Sequence, residues 1–221
     1  MNKIIKKAVV MLSGGLDSAT VLAIAREQGY TTYALSFDYG QRHRHELEAA
    51  RTIAKLAGAA FTIVPCDSFT ALGGNALTGT SAVPEGVPPD GTIPATFVPG
   101  RNLLFLTLAA AWAYQRGITD LITGVCQTDY SGYPDCRADT MVALQAALRA
   151  GMNSPFVIHT PLMHMTKAES VLLMRDLGRL DLLAHSHTCY NGFVPPCGTC
   201  PSCLLRAKGF AEAGVRDPLL G

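Results

Sequence analysis

The order of apolar and polar positions divides the chain into alternating strands and helices. Ala8-Val9-Val10-Met11-Leu12 is an unbroken apolar run, the pattern of a strand buried on both faces. After six intervening residues the period changes. Over 19–28, Val21, Leu22, Ile24 and Ala25 fall on a helical stripe. Residues 31–37 predict a second strand. Residues 45–58 predict a helix with Leu47, Ala50, Ile53, Ala54 and Ala57 along one face and Gly58 as its stop. A short third strand follows at 61–64. This β-α-β-α-β order predicts a parallel sheet with right-handed crossovers, and ligands of such sheets sit beyond the carboxyl ends of the strands.

Periodicity is then lost over 72–100, where glycines and prolines alternate. A stretch of this length is either a lid over a site or a variable surface excursion. Residues 103–115 predict a helix that is apolar nearly all round, so it lies in the core or at a subunit interface. A fourth strand is expected at 120–124, a helix at 139–149 and a fifth strand at 156–160. Thr166-Lys167-Ala168-Glu169 reads as a capping box that opens a helix ending at Gly178. The tail from Cys189 is rich in proline, glycine and cysteine, then helical over 202–213. No internal repeat is visible. The pattern predicts an α/β fold, a doubly wound, Rossmann-like parallel five-stranded sheet. A main domain over 1–184 would carry a cysteine-bearing segment, 185–221, packed on it.

The six residues between the first strand and its helix are Ser13-Gly14-Gly15-Leu16-Asp17-Ser18. Two glycines let the backbone approach a ligand closely. Ser13 and Ser18 add hydroxyls, and the helix that follows aims free N–H groups and its positive end at the same place, which favours phosphate. Asp17 would repel phosphate directly, so its use is to hold Mg²⁺ on it. The run is neither the Walker loop nor the dinucleotide fingerprint. It resembles the S-G-G-x-D-S pyrophosphate loop of the ATP-pyrophosphatases.

Composition narrows the class. Of 221 residues, 48% are hydrophobic and 16% charged, so the chain can build a large core without disordered bulk. A net charge of +1 gives no global field to recruit nucleic acid or a membrane. The basic start is followed by five apolar residues, too few for a signal peptide. The apolar run at 103–114 is too short for a bilayer, which takes about 20 residues. A cytoplasmic protein is expected. Seven cysteines, four of them clustered late, favour a metal over disulfides there.

Those four are Cys189, Cys197, Cys200 and Cys203. Thiolates at this spacing suit a tetrahedral Zn²⁺ in a structural knuckle, with an iron–sulfur cluster as the rival. His185 and His187 stand close enough in sequence to replace a ligand. Cys66, Cys126 and Cys136 stand apart and read as small buried hydrophobes. The basic run 41–46 is either a solvated helix start or brings Arg42 or Arg44 to an anion. Arg101 and Asn102 open a helix after a Pro-Gly turn, and can face an anionic group. Lys167 sits in the first turn of its helix, against the dipole's preference, which makes it a candidate phosphate ligand. In 126–137, Tyr130 and Tyr133 offer stacking faces, Asp129 and Asp135 can accept from an amino-purine edge, and Arg137 can pair with a carboxylate.

Taken together, SGGLDS at 13–18, FDYGQRHR at 37–44, TFVPGRN at 96–102, TGVCQTDYSGYPDCR at 123–137, TPLMHMTKAE at 160–169 and TCYNGF at 188–193 resemble the 7-cyano-7-deazaguanine synthase family over nearly the whole chain. The stretch 70–94 carries no recognisable motif. The resemblance implies a ligase of queuosine precursor synthesis. ATP would adenylate 7-carboxy-7-deazaguanine, ammonia would displace AMP, and a second ATP would activate the amide so that a nitrile remains. It implies ATP and Mg²⁺, beside one Zn²⁺ per subunit at the four cysteines. The net charge predicts no nucleic-acid or membrane partner, and surplus apolar surface at 103–114 or in the C-terminal tail predicts a subunit contact in a homodimer. The resemblance implies Asp17, Ser18 and Lys167 as catalytic residues. Leu12, Ser13, Gly14, Gly15, Leu16, Asp17, Ser18, Ala19, Thr20, Val21, Leu22, Arg42 and Arg101 would bind the nucleotide, and Asp129, Tyr130, Tyr133, Asp135 and Arg137 the deazapurine. The alternatives are another amidoligase or tRNA-thiolating enzyme with the same loop, and a zinc-knuckle module that binds nucleic acid without catalysis. A tRNA enzyme is expected to show a basic face, which a net charge of +1 disfavours.

Overall fold

A computed structural model describes residues 6–41, 44–72, 77, 82–86, 92–128 and 133–221. Strand β1 (Lys7–Met11) leads into helix α1 (Leu16–Glu27), followed by β2 (Thr31–Asp38), α2 (His45–Ala57), β3 (Ala60–Pro65) and a short α3 (Ser68–Leu72). Next come α4 (Arg101–Tyr114) and β4 (Asp120–Ile122). A single 3₁₀ turn, Pro134–Cys136, precedes α5 (Ala138–Met152) and β5 (Val157–His159). The chain ends in α6 (Lys167–Asp176), α7 (Leu180–Leu183) and α8 (Pro201–Ala213). The expected strands and long helices are present. α3, α7 and the 3₁₀ turn are additions, each too short to leave a periodic signal.

The five strands form one parallel sheet in the order β3-β2-β1-β4-β5. The unbroken apolar run is its central strand. Ala8, Val9 and Val10 are fully buried because both faces are covered. Alternation along β1 assigns the faces. Ala8 and Val10 pack with α1, α2, α6, α7 and α8, while Val9 packs with α3, α4 and α5. The sheet is therefore doubly wound. β1 turns to β2 on one side and β4 on the other, so the crevice at the carboxyl ends of β1 and β4 is the topological switch point.

α4 shows why an all-apolar helix reads ambiguously. Leu106, Ala109, Ala110 and Ala113 are buried in the chain's own core, and Leu104, Phe105, Leu108 and Trp112 are partly covered by it. The expected capping box is present. Thr166 Oγ1 accepts from the Glu169 amide at 3.2 Å, and Glu169 Oε2 accepts from the Thr166 amide at 2.7 Å.

Candidate active site

The phosphate-loop sequence folds as a tight turn because Gly14 adopts φ +94° and has no side chain. A Cβ there would lie 2.2 Å from the Glu46 carbonyl oxygen, so any other residue would push α2 away. The Leu12 amide donates to Leu35 O at 2.8 Å, which extends the β1–β2 ladder to the rim of the loop. Ser18 Oγ donates to Gly15 O at 2.9 Å and accepts from Ser13 Oγ and the Gly14 amide, both at 3.2 Å. The serines thus brace the turn. Gly15 is the N-cap of α1 and brings no side chain to it. The first intrahelical bond runs from the Ala19 amide to Gly15 O, so the amides of Leu16, Asp17 and Ser18 precede the ladder at the helix's positive end.

Lys167 is the first residue of α6. Its Nζ donates to Asp17 Oδ1 at 2.6 Å, and its side chain is 9% exposed. The cation therefore reaches the phosphate loop from the far end of the chain, held there by a carboxylate. Gly209 on α8 makes room for it, since a Cβ at 209 would lie 2.4 Å from Lys167 Cγ.

A cavity of about 290 Å³ opens in front of this loop. Its lining includes Ser13, Gly15, Asp17, Ser18 and Lys167 around the loop, together with Phe37, Tyr39, Phe105, Leu106, Tyr133 and Arg101. Phe37 and Phe105 stack at 4.3 Å between centroids and 7° between planes, which gives the lining an aromatic wall. The Arg101 guanidinium donates to Tyr39 Oη at 3.3 Å and lies over the Tyr39 ring. Burial works against its charge. The phenols of Tyr39, Tyr133 and Tyr190, with the Asp135 carboxylate, outweigh that and hold its pKa above the ordinary arginine value. Burial pushes the Tyr39 phenol up to about 12, with Arg101 opposing. Burial likewise pushes the Glu46 carboxyl on the same cavity wall up to about 7, again against Arg101. Burial first, then the Asp135 charge, raises the Cys136 thiol to about 12, consistent with a small buried hydrophobe.

The remaining residues singled out from sequence divide three ways. Tyr133 lines the cavity and shares a 2.6 Å hydrogen bond with Thr96 Oγ1. Asp135 is buried behind the wall, where Oδ2 accepts from the Asn102 amide at 3.0 Å and caps α4. Arg137 is exposed at the N-cap of α5, away from the cavity lining. Ala19, Thr20, Val21 and Leu22 are buried in α1 and support the loop from behind. Arg44 pairs with Asp38 at 3.1 Å on the surface. Arg42, Asp129 and Tyr130 lie outside the described residues.

Three further residues line the cavity that the sequence did not single out as site residues, Glu46 and Arg206 outside the quoted motifs and Tyr190 within TCYNGF. Glu46 stood within a run that reads as a solvated helix start. Its place two residues into a helix pressed on Gly14 turns it inward. Tyr190 sits beside a cysteine and was absorbed by that signal. Arg206 falls on a helix whose composition gives no hint. It is 4% exposed, with Nε and Nη2 donating to Asp217 at 2.6 and 2.8 Å and Nη1 to Ser186 and Thr188 at 2.7 and 2.9 Å.

Cys189, Cys197, Cys200 and Cys203 come together with their four Sγ atoms within 4.8 Å of one another. A tetrahedral thiolate site with metal–sulfur bonds of about 2.3 Å needs sulfurs about 3.8 Å apart, and Cys197 and Cys203 stand at 3.9 Å. The residues fit a four-coordinate metal. The Cys203 thiol donates to Cys200, which lowers the Cys200 pKa and raises that of Cys203; a bound metal would take both as thiolates. Cys197 receives the Cys200 amide at 3.4 Å. His187 is not among the four, and its Nε2 bonds Cys189 O at 3.1 Å. Among the described residues, no helix is long and apolar enough to cross a membrane.

A doubly wound parallel sheet with an amide-lined, glycine-rich turn at its switch point is the architecture of nucleotide-binding α/β proteins. Two solved structures share this fold. One is a 4-thiouridine synthetase solved with RNA and bound ATP, at TM-score 0.53 and 16% identity, covering 94% of this chain and 54% of that one. The other is a predicted subunit of a tRNA methyltransferase from Methanocaldococcus jannaschii, at TM-score 0.52 and 17% identity over 77% and 75% of the two chains. Sequence relatives are much nearer. The 7-cyano-7-deazaguanine synthase of Chromobacterium violaceum is 62% identical over 218 residues, covering 97% of this chain and 93% of its own. That of Laribacter hongkongensis is 59% identical over 214 residues. Residues 7–214 match the family described as queuosine biosynthesis protein QueC, and the chain belongs to that family.

Proposed function

We propose that this chain is a cytoplasmic ATP-dependent carbon–nitrogen ligase that converts 7-carboxy-7-deazaguanine and ammonia to 7-cyano-7-deazaguanine. The observation that carries the reading is the single cavity joining the amide-rich start of α1 to the aromatic wall and Arg101. Its family membership and the names of its relatives agree with it.

The triphosphate lies along 13–18 and the planar deazapurine against Phe105, Tyr133 and Arg101. The substrate carboxylate attacks the α-phosphorus and pyrophosphate leaves. Negative charge grows on the leaving group, where the amides of Leu16, Asp17 and Ser18 and the Lys167 ammonium stand ready. Ammonia adds to the acyl carbon and AMP departs, leaving an amide. The amide oxygen then attacks a second ATP in the same way. Loss of AMP and of two N–H protons forms the nitrile. Most of the catalysis is positioning, and no covalent nucleophile is required.

Asp17, an oxygen donor one-third exposed to the cavity, suits a hard cation. Bound there, Mg²⁺ would neutralise phosphate charge. The four cysteines would hold one Zn²⁺, which leaves no open position for a catalytic water. Residues 1–184 form the catalytic domain and 185–221 the zinc-bearing segment packed on it. The protein works as a homodimer on small molecules. Exposed Phe193 and Val194 in the cysteine segment supply surplus apolar surface, and light scattering reads the mass. Incubation of ATP with the acid and ammonium tests the assignment. AMP and pyrophosphate are expected, and ADP with phosphate contradicts it.

A further inference from the structure

The cysteine cluster and the cavity share a stretch of chain. Cys189 is fully buried in the cluster, while His187, Thr188 and Tyr190 on either side of it line the cavity. Three anchors fix this stretch. The His187 amide donates to Gly14 O at 2.8 Å, tying it to the phosphate loop. Arg206 Nη1 donates to Thr188 Oγ1 at 2.9 Å. The Tyr190 amide donates to the Cys200 sulfur. Tyr190 in turn packs both on the cysteine cluster and on the sheet core with Phe105, and its phenol bonds Tyr133 on the cavity wall.

We infer that the metal-bearing segment is one wall of the substrate pocket, with Tyr190 a substrate-contacting residue that the metal holds in place. Drawing four sulfurs onto one ion fixes Cys189 and Cys200 together, and these two carry Tyr190 by its chain bond and its amide hydrogen bond. A planar deazapurine against Tyr190 therefore binds better when the metal is present. By reciprocity its binding must hold the metal more tightly, by the same factor. This rests on the substrate assigned above.

The test uses the holoprotein as purified and measures how its metal partitions at equilibrium with the chelator 4-(2-pyridylazo)resorcinol. Saturating 7-carboxy-7-deazaguanine is expected to raise the metal affinity so measured on the order of 5-fold or more, within the range of couplings between sites. Tyr190→Ala is expected to retain one metal per chain, to lose this gain and to bind the acid more weakly in calorimetry. Tyr190→Phe, which keeps the ring, is expected to retain most of the gain. Tight binding of the acid with an unchanged metal affinity overturns the coupling and leaves the assigned function standing. A Tyr190→Ala protein with wild-type affinity for the acid and the full gain also overturns it. No binding of the acid to the holoprotein overturns both.

Discussion

Lys167 Nζ and Asp17 Oδ1 meet at 2.6 Å although 150 positions separate them in the chain. Sequence reasoning assigns the two residues separately, one to phosphate and one to a metal. The fold joins them, so each holds the other in the cavity and both stand at the positive end of α1. Asp17→Asn is expected to lower kcat by at least about 10²-fold with an unchanged circular dichroism spectrum. Lys167→Arg is expected to fail as a replacement, since a planar guanidinium cannot substitute for a point charge in a slot cut for it. Wild-type turnover in either variant contradicts the pairing's role.

Gly209 tests the same pair from a distance. A methyl group there meets Lys167 Cγ at 2.4 Å and Cβ at 2.8 Å. Gly209→Ala is therefore expected to cost about 1–3 kcal/mol of stability and to reduce kcat, because the displaced side chain carries the ammonium with it. Urea unfolding and steady-state rates check the two effects. A stable variant with full activity contradicts the tight fit.

The Glu46 carboxyl is raised from 4.5 to about 7 by burial. The folded state thus holds this proton more tightly than the unfolded chain. Below pH 4.5 both states are protonated and nothing is lost. Stability then falls as pH rises through the window between those two values, by about 3 kcal/mol in full. Glu46→Gln removes the titration. Its stability relative to the parent is expected to rise between about pH 5 and pH 8. Parallel profiles of urea midpoint against pH contradict the assignment.

Zinc at the four cysteines is expected at one ion per chain. Thiolate sites of this type contribute on the order of 10–16 kcal/mol in small peptides. Cys200→Ser is expected to yield metal-free or insoluble protein. Elemental analysis that finds iron with visible absorption, or no metal, contradicts the zinc reading.

The sheet, the phosphate turn and the cysteine cluster were legible because each has a local signal. β1 is an unbroken apolar run, 13–18 is contiguous, and the four cysteines lie within fifteen residues of one another. What lay beyond the sequence is direction. Asp135 carries the charge expected of a substrate ligand, yet the fold turns it onto the Asn102 amide as a cap for α4. Arg137 sits two residues away and faces solvent at the start of α5. Glu46 and Arg206 stand on helices, where one position of rotation separates a solvated charge from a lining one. The buried ion pair of Arg206 with Asp217 depends on the chain's return past α8, which no local pattern announces.

The central claim is that one loop serves two adenylations. An amide ligase would consume one ATP and stop, because the amide oxygen is a poor leaving group in water. Adenylation turns that oxygen into the phosphate oxygen of departing AMP, and the acid and amide are close enough in shape for one pocket. Quantifying products by mass spectrometry tests this most directly. Two AMP and two pyrophosphates are expected for each nitrile, with added 7-amido-7-deazaguanine converted by one further ATP and no ammonia. Accumulation of the amide as the end product, or one AMP for each nitrile, contradicts it.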